Sequence, residues 1–183
     1  VVLGFVNSII LFPQFLSTEQ IGIVRQLISA ATLLIPITTF GVNASYVKFY
    51  PNFVDDKSQK NQFFIYELTV ILLSYCVVFA FLNLFYEDIR GLFTEKSRIL
   101  FNYFDVFLLI LFCLSISTLF ESFLRARYDT VITNIVNGVS NRILTALTLI
   151  LFSISLISFD EFINYQAVTV SYTHLTLPTS HCG

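Results

Sequence analysis

The sequence predicts an all-α fold, a polytopic bundle of transmembrane helices with about five spans and the start of a sixth. Three observations point there. Of 183 residues, 56% are hydrophobic and only 12% are charged, against about 25% charged in a soluble domain. The mean hydropathy is +0.79. The charges are bunched, and between the bunches lie apolar stretches close to the roughly 20 residues that a spanning helix needs. Ten basic and 12 acidic side chains are too few for the polar shell of a soluble domain. Twenty-one Phe and nine Tyr exclude a solvated disordered chain, and a net charge of -2 argues against nucleic acid as a partner.

The elements follow from the punctuation. Val1 to Leu16 is a short first span, and the absence of Met predicts a fragment whose start is missing. After the turn LSTEQIG, residues 21–50 form a long second helix with Pro36 in its middle, where a missing N–H predicts a bend. NFVDDKSQKN is a polar loop, and residues 63–85 are the third span. YEDIRGLFTEKSR leads to a fourth span over 99–119, and ESFLRARYD to a fifth over 130–157. A sixth begins near Phe162. Residues 1–168 thus make one partial transmembrane bundle. From Thr169 the apolar pattern stops; VSYTHLTLPT resembles a translated sequencing adaptor, so 169–183 are expected to be a non-native tail carrying both His and Cys182. Lys48, Lys57, Lys60, Arg125 and Arg127 fall on one side of this topology, which the positive-inside rule makes cytoplasmic.

Two spans carry polar stripes. At 100° per residue, Arg25, Ser29, Thr32, Pro36, Thr39 and Asn43 fall within about 80° of arc. Asn134, Asn137, Gly138, Asn141, Thr145 and Thr148 fall within about 100° of the fifth span, with Arg142 beside them. Small and amide side chains on such stripes also serve helix–helix contact. An arginine about 18 Å deep, as Arg142 would be, needs an acid, carbonyls, water or an anionic ligand. Asp105, entering from the opposite side, is its candidate structural partner; Arg25 is shallow enough to snorkel. The functional alternative has Arg25 and Arg142 facing one cavity and holding a phosphate group. No nucleotide, zinc-protease or serine-hydrolase motif is present, nothing implies a cofactor or metal site, and loops of about 10 to 15 residues do not suit a membrane enzyme.

Leu11 to Pro51, LFPQFLSTEQIGIVRQLISAATLLIPITTFGVNASYVKFYP, resembles the first two helices of polysaccharide exporters in the multidrug/oligosaccharidyl-lipid/polysaccharide flippase superfamily. The likeness rests on the Leu16 to Ile23 turn, the central Pro, and the Gly41 to Pro51 exit. It implies a partial N-terminal bundle of a flippase in the bacterial cytoplasmic membrane. The cargo would be a polyprenyl-pyrophosphate-linked oligosaccharide, with membrane lipids the other partners and the coupling ion left open. Arg25 and Arg142 would supply the family's cationic cavity, Asn43, Asn134, Asn137 and Asn141 its polar lining, and Pro36 and Gly138 its bending points. A cation-coupled multidrug exporter is the alternative within the superfamily.

Overall fold

The computed structural model describes residues 5–53, 57–93, 98–126, 141–154 and 157–166. Within them the chain is helical, and no strand occurs among the described residues. An irregular helical segment, Val6–Leu11 then Phe12–Phe15, precedes α1 (Thr18–Thr39) and α2 (Val42–Phe49). A 3-10 turn, Tyr50–Phe53, leads to α3 (Lys57–Leu84) and the short α4 (Tyr86–Leu92). The 3-10 turn Arg98–Tyr103 then runs into α5 (Phe104–Ala126), and α6 spans Asn141–Ser153. Residues 159–166 are again helical.

Three helical stretches are long and apolar enough to cross a membrane: Thr18–Thr39, Ser58–Leu84 and Leu100–Ala126, with mean hydropathies of 1.6, 2.2 and 2.2. The expected first and fifth spans lie partly outside the described residues. The helical bundle anticipated from composition is therefore what the chain forms.

Local chemistry sets the helix ends. Ser17 opens α1 with a capping box: its Oγ accepts from the Gln20 N–H at 3.2 Å, and Gln20 Oε1 accepts from the Ser17 N–H at 2.9 Å. Ser158 and Glu161 repeat the device ahead of 159–166, where Glu161 Oε2 accepts from the Ser158 N–H at 2.7 Å. Each satisfies N–H groups that hydrocarbon would leave without a partner.

The expected single helix over 21–50 is two helices. α1 runs on through Pro36 and ends at Thr39; the chain then turns at Phe40 (φ 50°) and Gly41 (φ 75°). Glycine adopts that left-handed backbone without steric penalty, whereas Phe40 is there against its preference. Beyond the turn, the Gly41 carbonyl accepts from the N–H groups of Ala44 and Ser45 and starts α2. The redirection seats Tyr46 against Phe63 and Phe123, with ring centroids 5.3 and 6.0 Å away.

Paired contacts give the helix directions. Ala31 packs with Ile110 and Leu111, Thr38 meets Ser115 and Tyr46 meets Phe123, so α1–α2 and α5 run parallel. Ser74 donates to the Ile37 carbonyl while Phe63 meets Tyr46, so α3 is antiparallel to both. Ala31 is fully buried because its small side chain lets α1 and α5 approach closely.

A hydroxyl pair crosses this contact. Thr38 Oγ1 and Ser115 Oγ are 2.6 Å apart and buried. Ser115 Oγ also lies 2.7 Å from the Leu111 carbonyl, closer than Thr38 Oγ1 lies to that of Ile35 at 3.1 Å. The two protons are best placed with Ser115 donating back to Leu111 and Thr38 donating across. Thr38→Val should cost about 1 kcal/mol, Ser115→Ala a similar amount, and the double variant little more than either alone. Unfolding of the chain in mixed micelles measures this; strictly additive losses would contradict the shared bond.

Candidate functional site

The polar stripe of α1 lies opposite the face that packs. Ile23, Val24, Leu27, Ala31 and Thr38 are buried, whereas Arg25, Ser29, Thr32 and Pro36 are exposed. On a helical wheel the four occupy the middle of the exposed arc, flanked by Ile28 and Leu33. Thr32 turns its hydroxyl back to the Ile28 carbonyl at 2.7 Å. Facing hydrocarbon, a guanidinium and two hydroxyls in a row would be costly; facing water or a polar cargo, they are not. Among the described residues nothing covers this face.

The stripe turns inward on either side of the Phe40–Gly41 break. Thr39 is buried before it, and Asn43 on α2 is half-buried beyond it, its Oδ1 out of reach of solvent and lacking a partner among the described residues. The polar residues expected on one second helix thus separate: Arg25 and Pro36 belong to the open face of α1, and Asn43 to the packed interior.

α6 uses its polar residues differently. Thr148 is buried and its Oγ1 accepts from Gln166 Nε2 at 2.9 Å, tying α6 to 159–166. Ile143, Leu147 and Ile150 are exposed. Thr148 thus serves helix contact. Arg142 is half-buried on the first turn of α6 and Asn141 is the residue before it. Asn134, Asn137 and Gly138 lie outside the described residues.

Leu16, with Ile23, Val24 and Leu27 on α1, shares one apolar cluster with Leu149 on α6 and with Phe162 and Ile163 of 159–166. Arg25 adjoins Val24, and Arg142 lies about 10 Å along α6 from Leu149 at 1.5 Å per residue. An apolar cavity of about 150 Å³ between Gln26, Leu82, Phe101 and Phe107 is lined by neither arginine. Asp105 stands exposed on the first turn of α5, because residues 98–103 form a 3-10 turn and the α-helix starts only at Phe104. There its charge favours the helix N-terminus.

Sequence periodicity does not single out Glu67. On α3 it stands in the core stripe with Phe63, Ile71 and Val78, and it is 1% exposed. A hydrogen bond joins its side chain to Ser45 on α2, while Oε2 is buried with no partner among the described residues. The available sequence signal is its spacing of four residues from both Phe63 and Ile71.

A family model described as polysaccharide biosynthesis protein matches residues 1–173. The chain belongs to that family. Its role therefore lies in polysaccharide synthesis or export at a membrane. No curated protein and no solved structure matches the chain. In this family member the exposed polar face of α1 is the feature that a purely structural bundle would not need.

If that face meets water, cysteines at Ser29 and Thr32, in a background without the native cysteines, should react rapidly with a membrane-impermeant thiol reagent. A cysteine at Leu73 or Val77, exposed on α3 among apolar neighbours, should react slowly. Equal rates at both sets would contradict a wet polar face.

Proposed function

We propose that the chain is part of a flippase that moves a polyprenyl-pyrophosphate-linked oligosaccharide from the inner to the outer leaflet of the bacterial cytoplasmic membrane. The observation that carries this reading is the uncovered polar face of α1, with Arg25 near one end and Ser29 and Thr32 along it. Carrying a pyrophosphate and many hydroxyls through hydrocarbon costs several kcal/mol for each unsatisfied group. A wet groove with fixed cations lowers that barrier, and an arginine fork matches two phosphate oxygens at once.

In this reading Arg25 and Arg142 hold the pyrophosphate while the saccharide passes along the polar face. Asn134, Asn137 and Asn141 bond its hydroxyls, and Asn43 offers its unpartnered Oδ1 once α2 loosens. The lipid tail stays in the bilayer. Pro36 and Gly138 serve as bending points for alternating access, and Asp105 as a structural anchor. In this reading the protein is a transporter and not an enzyme, as members of its family generally are.

In cells that depend on the full-length protein, Arg142→Ala should abolish export of surface polysaccharide at normal protein abundance. Arg142→Lys should restore it in part, since an ammonium keeps the charge and loses the bidentate geometry. Normal export in both variants would remove Arg142 from the cargo path.

A further inference from the structure

We propose that Glu67 is a proton-binding site inside the membrane, filled while α2 is docked on α3. Its depth is set by sequence: on the helix Ser58–Leu84 the apolar run begins at Phe63, so Glu67 lies about 6 Å in from that end and about 26 Å from Leu84 at 1.5 Å per residue. That places it in the outer part of a hydrocarbon core about 30 Å thick. Its surroundings are apolar: Phe63, Phe64 and Ile71 on α3 pack with Val42 and Tyr46 on α2 and Leu119 on α5.

The charged and titratable groups on the packed elements are engaged elsewhere. Lys48 on α2 lies 5.5 Å from the centre of the Phe49 ring, and Lys60 lies 5.8 Å from that of Tyr50. On α5, Glu121 and Arg125 pair with each other at 3.4 Å. α1 brings only the neutral hydroxyls of Thr38 and Thr39 to this end. Tyr46 and Tyr50 are neutral phenols. Ser45 thus joins one neutral side chain to the carboxyl, and Oε2 is left in the interior.

Among the described residues, an ionised carboxylate in that setting meets no counter-charge and too few donors, a costly arrangement for a core to hold. A proton removes the charge and leaves a neutral hydroxyl, a much smaller penalty. A metal cation would need several converging oxygens. Among the described residues, no group of three or more Asp, Glu, His or Cys gathers anywhere. The proton is therefore the occupant.

α2 hangs on the Phe40–Gly41 break and is the element that covers Glu67. When α2 lifts, the carboxyl meets water and releases its proton; redocking takes one up. The site thereby links proton exchange to a movement of α2. This inference rests on α3 crossing the membrane and not on the cargo, so its failure would leave the flippase reading intact.

The test uses the chain in lipid nanodiscs and a hydrophobic carbodiimide. A protonated carboxyl transfers its proton to the reagent's nitrogen while its oxygen adds to the central carbon, and rearrangement leaves a stable N-acylurea. Mass spectrometry should find the adduct on Glu67 at neutral pH. The adduct should be lost in alkali and in Glu67→Gln, but be indifferent to Na⁺ at constant pH. In the infrared spectrum, isotope-labelled glutamate should reveal a protonated-carboxyl band that Glu67→Gln removes. If the variant does not fold, the wild-type spectrum and adduct decide alone. A carboxylate band for Glu67 at neutral pH, absence of the adduct, or protection by Na⁺ would each overturn the proposal.

Discussion

A chain in hydrocarbon has no water with which to bond its backbone, and everything else in this structure answers to that constraint. Helices satisfy their own interiors. Their ends and interruptions must be satisfied by named groups: Ser17 and Gln20 at the start of α1, and Ser74 at the Ile37 carbonyl before the break. The turn at Phe40–Gly41 lies exposed, and the α2 that it redirects packs on α3 and α5 through Tyr46. Irregular backbone at membrane depth is stable only where protein or water covers it.

The same constraint sorts the side chains. Hydroxyls that join helices are buried in pairs, as at Thr38 with Ser115 and Thr148 with Gln166. Polar groups that join nothing lie together on the open side of α1. A lipid-facing helix has no reason to line up Arg25, Ser29 and Thr32 away from its packing face, and a helix bordering a polar path does. Membership of the polysaccharide biosynthesis family supplies a reason for such a path.

Much of the fold was legible. α3 and α5 announce themselves because long apolar runs bounded by charge can hardly be anything else, and the Ser17 turn carries its own capping signature. The exposed stripe of α1 was readable as an arc, since helical periodicity is a property of one element. The break after Thr39 was not readable. Pro36 is the conspicuous local signal, yet the turn comes at Gly41, where it aims Tyr46 into an aromatic cluster drawn from three helices. Glu67 was missed for the same reason: on α3 alone it is a lone carboxylate, and only α2 laid over it makes it a buried one. Asp105 falls at the start of α5 because the expected fourth span opens with a 3-10 turn over 98–103, which its composition does not reveal.

The most direct test of the central claim, that the polar face of α1 belongs to a path for a lipid-linked saccharide, is a translocation assay on the full-length protein. Proteoliposomes would carry a fluorescent polyprenyl-pyrophosphate oligosaccharide in both leaflets, and a membrane-impermeant quencher would report the fraction that reaches the outside. The account predicts that the protected fraction falls faster than in protein-free vesicles, and that Arg25→Ala together with Ser29→Leu and Thr32→Leu slows it to the protein-free rate. Loss of protection at an unchanged rate in that triple variant would contradict the account.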